Sequence, residues 1–394
     1  MALSVRSKQY KIPSYSLTGD LLAFMQCKLQ YRYNNKGALP PSTPVQQWFG
    51  EFIHGVMEES FLIWKKEKRE FPWSFGEVQE ISLEIANRLS FKGLKPYSNL
   101  FCDCNPDRKG SCPDNNHPHH LLANDRAFYA INMWGKYLFP LIDENEVKLE
   151  GMRDMPNYQN GVSRAEYYSV TGIADVVSLV NVNEITLGNH LVKYLYSYSE
   201  IRELISRNEE FEIIIDYKGM RRPANNSEIW KHHEWQLHTY MWLREEQLRS
   251  ENVKCPIVAG ILLYLNELCP SADDCKVLLS EIKDNNTDII PNSDDISILE
   301  NGDKEHRYQI SDPFKEARSI RIIPYNKDGM IDSLEQFDSV VRNIESCVLD
   351  EMKNTRNVMS HWCGNVYEKR RCTACDLKTI CIDLGDSRVK PKVP

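Results

Sequence analysis

The chain has 394 residues, 42% of them hydrophobic, with a formal net charge of −8 and twelve cysteines. That length can hold two or three domains and that composition a sizeable core, while no run of about 18 apolar residues offers a membrane-crossing helix. The opening Met1-Ala2-Leu3-Ser4-Val5-Arg6 lacks the apolar stretch of a secretory signal, so the expected location is cytoplasmic, where disulfides are rare and clustered cysteines suit metals.

Residues 14–33 read as a helix, with Leu17, Leu21, Leu22, Phe24 and Met25 at three- and four-residue spacing and Cys27 late in it. Residues 44–70 read as a second helix carrying His54, and 77–92 and 122–145 as two more. Between these last two, from Lys95 to His120, lies a break rich in Pro, Gly, Asn and Asp. It holds Cys102, Cys104, Cys112, His117, His119 and His120, which suits either a loop or a small zinc-stabilised insertion with Cys102, Cys104, Cys112 and His117 as donors.

From residue 160 the pattern changes. Residues 166–180 alternate as strands do, 188–210 form an insertion of helical character, and 211–218 are a strongly apolar strand. A helix over 228–250 and a buried strand over 258–266 follow. Residues 270–312 are acidic and Asn/Asp-rich, a surface insertion with little expected core. A strand over 318–324, an amphipathic helix over 332–354 and a cysteine-rich tail complete the chain. Strands interleaved with helices argue an α/β core. The expected division is a helical region over 1–150, a core over 151–330 and a C-terminal helix with the cysteine motif over 331–394.

Net charge does not advertise nucleic-acid binding, but binding depends on local charge. Candidate basic patches are Arg6, Lys8 and Lys11, then Arg221 and Arg222, then Lys369, Arg370 and Arg371. Isolated Cys255, Cys269 and Cys347 read as small apolar core residues.

The chemistry concentrates around the apolar strand. Asp175 sits in Gly172-Ile173-Ala174-Asp175, and Asp216-Tyr217-Lys218 ends the run Phe211-Glu212-Ile213-Ile214-Ile215. Phosphodiester hydrolysis needs an activated water, a Lewis acid on the phosphate and relief of developing charge. Two carboxylates, with the Tyr217 carbonyl, would hold Mg²⁺ or Mn²⁺ and leave water positions open. Lys218 shares a strand face with Asp216 because side chains alternate, so it can act on the attacking water or on developing charge. Gln236 and Tyr240 stand at i and i+4 of the following helix.

Taken in order, Gly50-x3-His54, Gly172-x2-Asp175, Asp216-x-Lys218 and Gln236-x3-Tyr240 resemble the RecB-like branch of the PD-(D/E)XK nuclease superfamily. The resemblance implies a restriction-endonuclease-like central mixed sheet flanked by helices. It implies that His54 joins Asp175 and Asp216 at the metal, and that Gln236 and Tyr240 position DNA or the lysine. The long gap from Asp175 to Asp216 departs from the family pattern, and the assignment of Asp175 depends on the two strands pairing across it.

Cys372-x2-Cys375-x5-Cys381 near the C-terminus can share one metal, with Cys27 or Cys363 as fourth ligand. Four thiolates suit zinc or a [4Fe-4S] cluster equally. Cys27 followed by Lys28-Leu29-Gln30-Tyr31-Arg32-Tyr33, together with the C-terminal motif, is similar to the iron–sulfur members of that branch. These include the AddB nuclease domain and the small nucleases of CRISPR adaptation. The similarity implies a [4Fe-4S] clasp on Cys27, Cys372, Cys375 and Cys381 that staples the two chain ends.

The expected activity is a metal-dependent DNA exonuclease on single-stranded or free-ended DNA, in DNA repair, CRISPR adaptation or phage defence. No Gly-x4-Gly-Lys-(Ser/Thr) is present, so unwinding would come from a separate helicase or defence-system partner. The alternatives are a catalytically silent DNA-end-binding or assembly subunit of a helicase–nuclease complex, and a zinc-dependent structural protein built on the two cysteine groups.

Overall fold

The structure, a computed structural model, describes residues 12–36, 45–96, 117–157, 163, 165–184, 188–301, 306–354 and 358–362, with Cys372, Cys375 and Cys381. Strand β1 (Ser14–Ser16) leads into a π-helical turn, Leu17–Leu22, and the short helix α1 (Ala23–Gln26). Cys27 is extended, at φ −162°, and separates α1 from α2 (Lys28–Lys36). The single helix expected over 14–33 is therefore corrected to a strand and three helical pieces. Asp20 accepts from both the Ser16 backbone N–H and its hydroxyl, which offers this segment local bonds that compete with a regular helix.

Helix α3 (Val45–Glu67) carries His54, and α4 (Phe75–Phe91) opens on a reciprocal Ser74–Glu77 capping box. Helix α5 (Pro118–Ala130) runs into a π-helical turn, the one-turn α6 (Lys136–Leu138) and a 3-10 turn. The helix expected to reach 145 stops there, and β2 (Glu144–Asp154) begins. This strand is absent from the sequence reading. Its alternation of buried Val147, Leu149 and Gly151 with exposed Glu146, Lys148, Glu150 and Met152 is the period of a half-buried strand. Residue 150 lies inside β2.

Strand β3 (Tyr167–Asn181) is the spine of the sheet. Strand β2 pairs antiparallel along one edge of it, from Tyr167 to Val177. The other edge is shared. Strand β1 pairs parallel with Ser169–Thr171, and β4 (Glu210–Lys218) pairs antiparallel with Val176–Asn181. The 188–210 insertion is helices α7 (His190–Tyr196) and α8 (Ser199–Ser206), an excursion that leaves the β3–β4 pairing intact. Helix α9 (Glu228–Ser250) crosses to β5 (Ile257–Tyr264), parallel to β4, and β6 (Ile320–Pro324) closes the sheet antiparallel to β5. This mixed sheet flanked by helices fits a restriction-endonuclease-like fold.

Both faces of the sheet are covered, which is why β4 and β5 read as near-continuous apolar runs. One core joins Ile213, Ile215 and Ile261 to α3, α4, α5, α7 and α8. The other joins Ile214 and Leu262 to α9, the N-terminal segment and α13 (Lys327–Lys353). Helix α13 is followed by α14 (Val358–His361).

The acidic insertion has more core than its composition suggests. Helices α10 (Ala272–Lys283), α11 (Ser293–Asn301) and α12 (Asp312–Ser319) enclose Cys275, Leu278, Leu299, Ile310 and Phe314. Among the described residues no helix is long and apolar enough to cross a membrane.

Candidate active site and metal centre

The site forms where two paired strands part. The β3–β4 ladder runs to Val176 opposite Ile215 and stops. One step further would set Asp175 against Asp216. Strand β4 instead follows β5 through Lys218, and β1 takes the edge of β3 only up to Thr171. Gly172-Ile173-Ala174-Asp175 thus fills the unpaired edge between β1 and β4. The Tyr217 N–H, left without a ladder partner on β3, is bound at 2.6 Å by the Asp175 carboxylate. One oxygen of Asp175 is thereby committed to backbone, and the other faces His54 at 3.2 Å.

Two glycines set the distances. At Gly172 an added Cβ would lie 2.6 Å from the Tyr240 ring, so a larger residue would push the ring away from β3. At Gly219, directly after Lys218, it would lie 3.2 Å from the Gly50 backbone. That close approach seats α3 on the end of β4, and one turn later His54 reaches the Tyr217 carbonyl, with Nε2 at 3.0 Å.

On the opposite side of β4, Asp216 and Lys218 face α9. Lys218 Nζ lies 2.6 Å from Asp216 Oδ2 and donates at 2.6 Å to Gln236 Oε1. The Gln236 amide donates to Asp216 Oδ1 at 3.2 Å and to the Tyr240 hydroxyl at 3.1 Å. Gln236 therefore fixes the lysine and the aspartate relative to one another, and Tyr240 sits behind it on Gly172. The structure brings together all the expected site side chains on the described elements: His54, Asp175, Asp216, Lys218, Gln236 and Tyr240, with the Tyr217 backbone.

Sequence reasoning missed Glu146 on β2. In the β2–β3 register it falls opposite Asp175, between the pairs Asn145–Val176 and Val147–Ala174. His54, Glu146 and Asp175 place one donor atom each within 4.8 Å of one another. No motif signals this glutamate; only the strand register does.

Electrostatics favour a cation here. Burial raises the Asp216 carboxyl above its ordinary range; Lys218 opposes that shift and Asp175 adds to it. Burial, then Asp175 and Glu58, raise Glu146 in the same way. His54 is pushed up to about 9, because Asp175 and Asp216 outweigh the burial that disfavours its charge. Crowded carboxylates, one carbonyl and one imidazole are a donor set that fits Mg²⁺ or Mn²⁺.

Residues 203–382 match the PD-(D/E)XK nuclease superfamily. The match supports that superfamily and, with it, a metal-dependent nuclease for which DNA is the implied substrate. No curated protein shows a match to the chain. The span matched to the superfamily takes in Asp216, Lys218, Gln236, Tyr240, Cys372, Cys375 and Cys381. It leaves Cys27, His54, Glu146 and Asp175 outside; geometry brings His54, Glu146 and Asp175 together at the site.

The site opens onto a groove. This groove, of about 2050 Å³, runs past Asp175, Asp216 and Lys218, and its lining includes Arg88, Lys92, Gln26, Gln30 and Cys375, together with Arg126, which is buried and paired with Asp274. The expected basic patch at Arg221 and Arg222 is corrected. Arg222 is 3% exposed, binds Asp288 and donates to the carbonyls of Arg318 and Ile320, while Arg221 pairs with Glu281 at 2.6 Å. These arginines lock the acidic insertion onto the end of β4. The patches at 6–11 and 369–371 lie outside the described residues.

The N-terminal segment around Cys27 also meets the C-terminal cysteines. Cys27, Cys372, Cys375 and Cys381 are all half-buried. Burial raises the Cys27 thiol, hydrogen bonds from the Gln30 and Leu29 backbones partly offset it, and Cys381 and Cys372 are close enough to raise it further. The Cys375 N–H donates to the Cys372 carbonyl at 3.3 Å. Protein bonds hold the same segments together: Arg32 and Trp362 both donate to Glu351, at 2.7 and 2.6 Å, and Tyr15 binds the buried Glu345. Cys363 lies outside the described residues, as do Cys102, Cys104 and Cys112. His117 has its Nδ1 occupied as the cap of α5, accepting from the His119 N–H at 3.2 Å. Cys269 and Cys347 are buried as expected, whereas Cys255 is only half-buried.

Proposed function

We propose that the protein is a metal-dependent deoxyribonuclease that hydrolyses single-stranded or free-ended DNA as an exonuclease. The observation that carries this reading is the divergence of β3 and β4. It sets Asp175 and Asp216 beside the Tyr217 carbonyl and His54, with Lys218 clamped by Gln236, in an open groove. His54, Asp175, Asp216 and the Tyr217 carbonyl would hold the divalent cation, which supplies Lewis acidity to the phosphate and lowers the pKa of water. Lys218, held by Gln236, orients the attacking water and balances charge that develops on the phosphate oxygens. Tyr240 accepts from the Gln236 amide and positions it.

The four half-buried thiols of the joined N- and C-terminal segments would hold a [4Fe-4S] cluster, whose cysteine donor set they match. The clasp supports the wall of the groove, since Cys375 lines it. The motif resemblance and the lack of a Gly-x4-Gly-Lys-(Ser/Thr) run support a role in DNA repair, CRISPR adaptation or phage defence alongside a separate helicase or defence-system partner.

The test is anaerobic purification, a visible spectrum, and incubation of end-labelled single-stranded DNA with Mg²⁺ or Mn²⁺. Wild type and Asp216→Ala are run side by side. Cleavage by wild type alone supports the reading, and products trimmed from one end support an exonuclease. A broad absorbance near ~400 nm that disappears in Cys27→Ser supports the cluster. DNA retained but never cut, in any metal, selects the assembly-subunit reading instead.

A further inference from the structure

We propose that Glu146 is a direct ligand of the site's divalent cation, closing with His54 and Asp175 a three-donor face on the side of Asp175 away from Lys218. This rests on the metal-dependent reading above and adds a residue that the motifs do not contain.

Three elements supply the donors: α3 the imidazole, β3 one carboxylate and β2 the other. Their ligating atoms lie within 4.8 Å of one another, and His54 Nδ1 and Asp175 Oδ1 are 3.2 Å apart. Neighbouring ligands of an octahedral Mg²⁺ at about 2.1 Å stand roughly 3 Å apart, a spacing the His54–Asp175 pair already has and the Glu146 carboxylate would reach by moving inward. A separate observation points to the same spot. A small, partly open pocket of about 10 Å³, the space of about one water molecule, is lined by His54, Glu146, Asp175, Glu58 and Tyr217, where the exposed Glu146 borders the groove. The far wall is organised too, since Asn145 donates to Glu58 at 3.2 Å. The groups facing Glu146 are Asp175, Glu58 and Glu51, with His54 as the opposing cation. Carboxylates directly opposite across a strand pair repel, and a divalent ion between them removes the penalty.

The backbone agrees. Glu146 has φ +52°, a left-handed conformation inside a strand, which glutamate adopts less readily than asparagine or glycine. That conformation also makes the test clean, because Glu146→Asn suits the backbone while shortening the carboxylate to an amide.

The experiment is a Mn²⁺ titration of the full chain without DNA, read by electron paramagnetic resonance of the free ion, with thermal unfolding recorded in parallel. Wild type, Glu146→Gln, Glu146→Asn and the same-strand control Glu150→Gln are compared. The expected result is a loss of at least about tenfold in Mn²⁺ affinity for both Glu146 variants, with Glu150→Gln unchanged. The metal-free melting temperature of Glu146→Asn should match or exceed that of wild type, while its rise on adding Mn²⁺ shrinks. Wild-type affinity in Glu146→Gln overturns the inference and leaves the nuclease reading standing. A wild-type chain that binds no Mn²⁺ overturns both.

Discussion

His54 makes the metal-free site a proton-binding site, and this has a measurable cost. Both ring nitrogens face acceptors, Nδ1 toward Asp175 Oδ1 at 3.2 Å and Nε2 toward the Tyr217 carbonyl at 3.0 Å. Only the imidazolium has an N–H for each. Burial opposes that charge, but Asp175 and Asp216 outweigh it and raise the ring to about 9. A metal ligand must be the neutral ring. At pH 7 the ion must displace a proton bound about two pH units above ambient, a cost of about 2.7 kcal/mol or roughly 100-fold in affinity. Mn²⁺ affinity should therefore rise about tenfold per pH unit from 7 to 9 and then level. Calorimetry in buffers of different ionisation enthalpy should count about one proton released per ion at pH 7. His54→Gln, which carries no proton to displace, should bind more weakly at high pH but lose the slope.

The stability effect of the metal-free protein runs the other way. A folded-state value above the ordinary 6.5 means His54 contributes fully below pH 6.5 and ceases to contribute as pH rises through about 9. The full shift corresponds to about 3.4 kcal/mol. With 31% of the ring exposed to solvent, about 2 kcal/mol is the working figure. Urea midpoints measured between pH 6 and 9 without metal should fall accordingly in wild type and stay flatter in His54→Gln. A metal affinity independent of pH in wild type, or an equal slope in His54→Gln, would refute the reasoning.

Other perturbations have their own signatures. Lys218→Met should lower cleavage about 10²–10³-fold at fixed Mn²⁺, and should lower the metal-free melting temperature because Asp216, 3% exposed, loses its ion-pair partner. Gly172→Ala puts a methyl 2.6 Å from the Tyr240 ring. Overpacking of that kind costs about 1–3 kcal/mol, read as a lower urea midpoint, and cleavage should drop with it as Gln236 loses its backing. Arg244 binds Glu212 at 2.7 and 2.9 Å with both nearly buried. Arg244→Met should cost about 3–5 kcal/mol by leaving a buried carboxylate uncompensated, and adding Glu212→Met should recover much of it. Chemical denaturation of the single and double variants checks this; equal midpoints for the two would sink the argument.

Much of the site was legible because it is written in short periods. Asp216 and Lys218 share a face because strand side chains alternate, and Gln236 and Tyr240 share a face because a helix repeats every 3.6 residues. Apolar β4 and β5 announce a sheet covered on both sides. The helix expected over 14–33 failed where a local competitor was strong, at Asp20 bonding back to Ser16. The helix expected to reach 145 failed where two irregular turns precede β2, and in losing β2 the reading also lost Glu146.

What the chain's own order of residues determined, then, is which side chains share a face of one element. Tertiary structure alone decided which faces meet. Nothing near Arg222 reveals that Asp288 will bury it, so a dipeptide of arginines reads as a basic patch until α10 to α12 fold over it. Nothing in Glu146 sets it apart from the other acids of the chain until the β2–β3 register puts it opposite Asp175. Cys27 likewise meets Cys372 and Cys381 where Arg32, Tyr15 and Trp362 help dock the N-terminal segment on α13 and the residues that follow it. Local periodicity is set by backbone geometry and is visible in any short window. Contacts between distant segments depend on the packing free energy of the whole fold, which no window of sequence contains.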